Sequence, residues 1–210
     1  MDRGDHKDLQ QRVAKLVGEF DQINRPLTFR LTPLAPAMLA PLFGKWNWQR
    51  IDESSVMVLD LANAGLEDAI TQLPLKDVDH WIEQCVIMES IAADTKPGLI
   101  NLINRIEGEV GLFLLEDHHG TPLAAAMAVR FGALVGLFEV VSNPQMRGRG
   151  LGRRIVRTAL LWGCSRGAKK AWLQVVAENH PAIALYEAEG FREAYRYVYW
   201  RAPDNFVESL

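Results

Sequence analysis

Residues Val140–Arg154 read Val-Val-Ser-Asn-Pro-Gln-Met-Arg-Gly-Arg-Gly-Leu-Gly-Arg-Arg. An apolar strand ends, a proline breaks it, three glycines alternate with larger residues, and an amphipathic run begins. This order of strand, turn and helix constrains the chain more than any other feature. Glycine lets a backbone bend sharply and lets a ligand approach it closely. The helix that follows opens with unsatisfied N–H groups at the positive end of its dipole, a setting suited to phosphate. Two phosphate-binding patterns do not fit. No Lys-Ser/Thr follows the glycines, as GxxxxGK[ST] requires. The dinucleotide pattern GxGxxG needs an acidic residue about 20 positions on. Here the spacing is GxGxG, and Lys169 and Lys170 occupy that region.

Charge sharpens the picture. The formal net charge is −3, yet Val140–Ala177 holds eight Lys/Arg and no Asp or Glu. A positive island in an acidic chain fits a local anionic ligand better than a long polyanion, which disfavours nucleic acid as a partner. The two cysteines, Cys85 and Cys164, lie outside any metal or redox spacing and read as buried small hydrophobes. The most apolar tract, Pro122–Val141, is broken by Arg130 and Glu139 and falls short of a membrane span. With no apolar run at the start to suggest a secretory signal, a cytoplasmic protein without membrane contact is expected.

Apolar spacing predicts a helix over Asp8–Ile23, a strand over Ser55–Asp60, and helices over Leu66–Leu73, Asp79–Ala92 and Leu99–Ile106. The proline-rich stretch Arg25–Pro41 fits no element. Strands are predicted at Val110–Glu116, Leu123–Phe131 and Leu134–Ser142, the first two joined by the polar turn Asp117–Gly120. A helix over Leu151–Ser165 follows, with Arg153, Arg154 and Arg157 free to face water and Gly167 as its stop. Then come a strand at Ala171–Val176 in the order of a parallel crossover, a helix at Pro181–Glu189 and a long strand at Phe191–Arg201. The pattern is α+β.

Arg147-Gly148-Arg149-Gly150-Leu151-Gly152 resembles the R/Q-x-x-G-x-G/A motif of the GNAT superfamily of acyl-CoA N-acyltransferases. Gln145–Gly150 satisfies the same pattern, but the Arg147 frame places the helix directly after the last glycine. Further on, Asn179, then Ala182-Ile183-Ala184-Leu185-Tyr186-Glu187 and Gly190-Phe191, are similar to that family's strand-Asn-x-x-A-x-x-L-Y-x-x-x-G-F segment. The resemblance runs from about Glu109 to Pro203. It implies a mixed β-sheet flanked by helices and splayed open between Leu134–Ser142 and Ala171–Val176. It also implies an acetyl-CoA-binding core over residues 101–210, preceded by an N-terminal α/β extension over residues 1–100 that holds candidates for the first strand and helices of the fold.

The activity so implied is direct transfer of an acetyl group from acetyl-CoA to a small-molecule or amino-acid-like amine. Val140, Val141 and Ser142 would bond the pantetheine arm. Arg147, Gly148, Arg149, Gly150, Leu151, Gly152 and Arg153 would hold the pyrophosphate. Glu139, the acidic residue of its strand, is the candidate base, against the plainer reading of a solvent-facing or ion-paired side chain. Tyr186 is the candidate acid for the departing thiolate, against core packing. Asn179 either bonds the cofactor arm or caps the next helix. No metal site is expected: His118 and His119 lack partners at ligand spacing. Trp46 and Trp48 read as core residues. The row Tyr195, Tyr197, Tyr199 fits a half-buried strand and leaves an acceptor groove or a homodimer contact open. A non-catalytic CoA sensor is the alternative activity.

Overall fold

The structure, a computed structural model, describes residues 8–89 and 96–204. Its contacts divide the chain into two units. One comprises Met1–Val56, Val176–Glu178 and Ala194–Leu210, the other Met57–Val175 and Asn179–Glu193. Seven strands form a mixed sheet in the order β1-β7-β2-β6-β5-β4-β3.

The first unit contains α1 (Leu9–Asp21), β1 (Thr28–Leu31), α2 (Leu39–Lys45), most of β2 (Gln49–Asp60) and the later part of β7 (Arg192–Arg201). Helix α1 buries Val13 and Val17 in a cluster with Leu27, Phe43, Trp48 and Ala202. The rings of Phe43 and Trp48 stack at 4.6 Å, and Trp46 packs against the same cluster, so both tryptophans serve packing. The proline-rich stretch that fits no sequence pattern supplies β1 and the start of α2. A four-residue strand is too short to show alternation, and Thr28–Leu31 is held by antiparallel pairing with Arg201–Val198 of β7. On β7, Tyr197 is buried beneath the Arg30 guanidinium at 3.6 Å, Tyr199 meets it edge-on, and Tyr195 is exposed.

In the second unit, α3 (Val78–Glu89) and α4 (Lys96–Ile103) precede an antiparallel meander of β3 (Glu109–Glu116), β4 (Pro122–Phe131) and β5 (Leu134–Ser142). Helix α5 (Leu151–Ser165) then crosses over to β6 (Lys170–Val176), which runs parallel to β5, and α6 (His180–Ala188) follows. Period-two alternation feeds two cores. Phe113, Leu115, Ala124, Ala126 and Ala128 pack with Ile155, Val156, Ala159 and Leu160 of α5. Leu112, Leu114, Ala125 and Met127 pack with Trp81, Ile82, Cys85 and Met88 of α3. Burial on both faces is why β3 and β4 read as continuous apolar runs. Trp81 adds a buried hydrogen bond, donating Nε1–H to the Phe113 carbonyl at 2.9 Å.

Two sequence expectations are corrected. Leu66–Leu73 is not a helix: after a short 3-10 turn at Leu61–Asn63 the chain runs irregularly to Leu75. There Leu75 donates its N–H to Leu112 O at 2.8 Å, and Gln72 donates to Leu114 O at 2.8 Å. Bonds to the edge of β3 replace those of an eight-residue helix, which alone is marginal. Nor does Arg157 face water. It is mostly buried, bonded to Glu189 at 3.1 Å, to Asp68 and to Gly65 O. Glu189 is itself buried, and Arg157 with Arg153 offsets the cost of desolvating its charge.

Candidate active site

The parallel ladder between β5 and β6 stops at Leu137↔Leu173, although β5 continues to Ser142 and β6 to Val176. The cause lies in β5. Its pairing with β4 jumps from Met127↔Phe138 to Ala125↔Val141, so three steps on β5 oppose two on β4. This is a bulge, and Glu139 within it takes a left-handed φ of 46°. Bulges bend a strand and increase its twist. Phe138 and Trp172 meet edge-to-face at 5.3 Å, side by side where the strands part. Beyond Leu137, one edge of β5 therefore offers main-chain N–H and C=O groups to something other than β6.

The chain then turns at the glycines. Asn143 fastens the turn to β4, donating Nδ2–H to Pro122 O at 3.0 Å and accepting from Gln145 N at 3.0 Å. Gly148 and Gly150 have φ of 75° and 74°, and a Cβ at either would meet open space. Their requirement is therefore the backbone angle, which L-residues adopt at a cost of roughly 1–2 kcal/mol. Gly150, not Gly152, is the glycine after which α5 opens, as the Gln145 frame has it; it is the N-cap and carries no side-chain cap. The first helical bond runs from Arg154 N to Gly150 O, so the N–H groups of Leu151, Gly152 and Arg153 have no partner within the helix. Gly152 answers to packing: a Cβ there would lie 3.3 Å from Leu185 of α6.

These features wall one cavity of about 690 Å³. Of the residues singled out in the sequence, Val140–Ser142, Arg147, Gly148, Gly150–Arg153, Asn179 and Tyr186 line it. Arg149 and Glu139 do not; both are solvent-exposed. Asn179 caps α6, its Oδ1 accepting from Ala182 N at 3.3 Å, which leaves its NH₂ as the group able to reach a ligand. Tyr186 is buried, its ring edge-on to Phe191, and burial pushes its phenol up to about 12. A phenol held that high keeps its proton throughout the neutral range.

Met88 and Glu89 also line the cavity, and no sequence signal pointed to them; Met146 and Leu185, which lie within the two motifs, join them. Glu89 ends α3. Glu89 is exposed to solvent, yet partial burial raises its carboxyl above the ordinary range, and the charge of Glu139 raises it further. One turn earlier, the Cys85 thiol is pushed up to about 12 by burial, then by Glu89 and Glu139. Such a thiol is no nucleophile at neutral pH. Cys164 is half-buried rather than fully buried, packed against the α5 core, and burial raises its thiol too. His118 and His119 are exposed in the β3–β4 turn, outside the cavity wall. No helix of the described residues is long and apolar enough to cross a membrane.

A family model described as probable histone acetyltransferase Rv0428c C-terminal matches residues 10–200. The uncharacterized N-acetyltransferase YobR of Bacillus subtilis is 23% identical over 180 residues, covering 82% of this chain and 71% of YobR. The ribosomal protein bS18-alanine N-acetyltransferase of Salmonella typhimurium is 43% identical over 58 residues, covering 28% of this chain and 39% of that enzyme. A GCN5-related N-acetyltransferase from Sphaerobacter thermophilus shares the fold, with a TM-score of 0.71 and 15% identity over 92% of this chain and 67% of that one. None of these favours the sensor alternative. Because the family match runs from the first helix almost to the end of the last strand, the chain belongs to the Rv0428c C-terminal family and is an N-acetyltransferase with the GNAT fold.

Proposed function

We propose that the protein moves the acetyl group of acetyl-CoA to the amine of a small-molecule or amino-acid-like acceptor by direct attack. One observation carries this reading. The uncapped first turn of α5, the left-handed glycines and the unpaired edge of β5 all border a single cavity. Main-chain N–H groups at a helix start suit a diphosphate, and an open strand edge suits the amides of a pantetheine arm. Arg147 and Arg153 add positive charge to the same wall.

When bound, acetyl-CoA supplies an acetyl carbonyl activated by its thioester, with a thiolate as leaving group. Tyr186, held protonated by burial, donates to the departing sulfur. Main-chain N–H groups near Val141 would serve as the donors to the carbonyl oxygen as it gains charge. An alkyl ammonium of pKa ~10 must shed a proton before it attacks. A carboxylate beside the cavity receives that proton. Residues 101–210 thus supply the carrier-binding half of the cavity, and Met88 and Glu89 bring residues 1–100 into its wall.

The test is calorimetric titration with acetyl-CoA followed by a screen of amines for release of free thiol. Saturable binding, with about 2.7 kcal/mol of added stability at a hundredfold excess over Kd, is the expected first result. Amine-dependent thiol release is the second. A protein that takes up no acetyl-CoA at millimolar concentration overturns the reading.

A further inference from the structure

Deprotonating the acceptor needs an acidic group that reaches its nitrogen, and the two nearby carboxylates differ in that respect. Both are exposed to solvent, but Glu139 stands on the bulge and is not part of the cavity wall. Glu89, at the end of α3, is the acidic residue among the described residues that line the cavity. The other charged residues of that wall are Arg147 and Arg153, and Arg153 already faces Glu189 at 2.6 Å. A carboxylate in a wall otherwise charged by arginines would repel a diphosphate. It attracts an ammonium.

Resting on the acetyl-transfer reading, we propose that Glu89 receives the acceptor: its carboxylate pairs with the entering ammonium and takes its proton. The groups around Glu89 fit this role. Glu139 on β5 is the neighbour whose charge raises its proton affinity, and on α3 itself Cys85 remains a neutral thiol. Trp81, Ile82, Cys85 and Met88 of the same helix pack on Leu112, Leu114, Ala125, Met127 and Ile103, which fixes where α3 ends at the cavity. A carboxylate with raised proton affinity takes a proton from an ammonium more readily than an ordinary one.

The protons and bonds balance. The ammonium gives one proton to a Glu89 oxygen. The freed lone pair forms the C–N bond to the acetyl carbon, and the C–S bond breaks with its electron pair on sulfur. Tyr186 protonates that sulfur, and the second proton shed by the new amide nitrogen restores Tyr186. One proton thus leaves through Glu89 to solvent, and the other ends on the thiol of CoA.

The experiment uses the full chain and n-butylamine as the probe. Protein saturated with CoA is titrated with the amine from about pH 4, near the ordinary carboxylate value, to about pH 8. In parallel, acetyl-CoA is supplied with saturating butylamine and thiol release is followed. Wild-type protein is expected to bind butylammonium, with affinity falling as the pH drops and Glu89 protonates. Glu89→Gln should bind the amine at least roughly tenfold more weakly and release thiol about a hundredfold more slowly, with acetyl-CoA affinity unchanged within about twofold. Glu139→Gln should keep amine binding and move its acid fall to lower pH, because removal of the Glu139 charge lowers the proton affinity of Glu89. Glu89→Asp, which keeps the charge, should recover part of the binding. Equal butylammonium binding by wild type and Glu89→Gln, equal thiol release, or no binding by the CoA-loaded wild type overturns the assignment to Glu89. Acetyl-CoA binding, measured beforehand, separates that outcome from failure of the acetyl-transfer reading itself.

Discussion

The strand β5 is two structures in one. From Leu134 to Leu137 it is paired on both sides, antiparallel to β4 and parallel to β6, and Val135 and Leu137 are buried in the core. From Phe138 to Ser142 it keeps β4 and loses β6, and its side chains are half-buried or exposed. One extra residue at the bulge and one aromatic pair, Phe138 with Trp172, mark the change. The closed half yields stability through its ladder and its packing. The open half gives up that ladder and keeps unspent main-chain donors and acceptors beside a cavity. In this fold the site lies where the sheet is denied a partner, so mutations in the two halves should fail in different ways.

The largest separation is expected at Tyr186, which borders the open half. Tyr186→Phe removes the proton meant for the leaving sulfur and little else, because the ring keeps its place against Phe191. Thiol release should fall about a hundredfold, while acetyl-CoA binding and thermal stability stay close to wild type. The pH dependence follows from the same burial. With the phenol raised to about 12, the native state holds a proton that the unfolded chain loses near its ordinary value of 10. The stability linked to Tyr186 is therefore complete below about pH 10 and is lost as the pH climbs toward 12. Thiol release should show no alkaline fall due to this residue below about pH 10. A rate equal to wild type for Tyr186→Phe would remove the acid role.

Gly150→Val should come next. Its φ of 74° puts a branched side chain in a region it avoids, although the space around it is open. The turn must rearrange or absorb roughly 1–2 kcal/mol, and acetyl-CoA affinity should drop by about tenfold. Calorimetry checks it, and unchanged affinity would show that the turn need not hold its left-handed angle to bind. The matching change in the closed half is Gly136→Ala. A Cβ there would fall 2.7 Å from the Phe138 ring and 2.9 Å from Trp172. Overpacking at this junction should lower stability by about 2 kcal/mol, or roughly 4–8 °C in melting temperature. Acetyl-CoA affinity measured well below the melting point should move less than it does in Gly150→Val. If Gly136→Ala instead weakened binding as much as Gly150→Val, the two halves of β5 would not be separable.

How much of this was legible in the sequence follows the range of the interactions. Helix α5 was readable end to end because its apolar spacing, its glycine start and its stop at Gly167 are local. The first hairpin of the meander was readable because the polar turn Asp117–Gly120 separates its apolar runs. The Leu66–Leu73 segment was misread because its bonds go to β3, more than thirty residues away. Arg157 was misplaced for the same reason: its partners Asp68 and Glu189 lie 89 and 32 positions off. In the site, the glycine turn and Tyr186 stood out through motif and spacing. Glu89 did not, because its place in the cavity wall depends on how α3 packs across Ala125 and Met127, and no local pattern encodes that.

The smallest effect is expected at Arg149, and it tests whether charge or backbone dominates the turn. Arg149 sits between the two left-handed glycines, exposed and outside the cavity wall, whereas Arg153 lines it. At physiological salt an exposed charge is screened over about 8 Å. Arg149→Gln should therefore change acetyl-CoA affinity by less than about twofold at that ionic strength. The difference should widen when salt is reduced to roughly 0.01 M, where screening extends to about 30 Å. The loss in Gly150→Val, being conformational, should not vary with salt. A tenfold, salt-insensitive loss in Arg149→Gln would mean that this guanidinium touches the diphosphate directly, and the open half of the site would then be built from side-chain charge as much as from main-chain N–H groups.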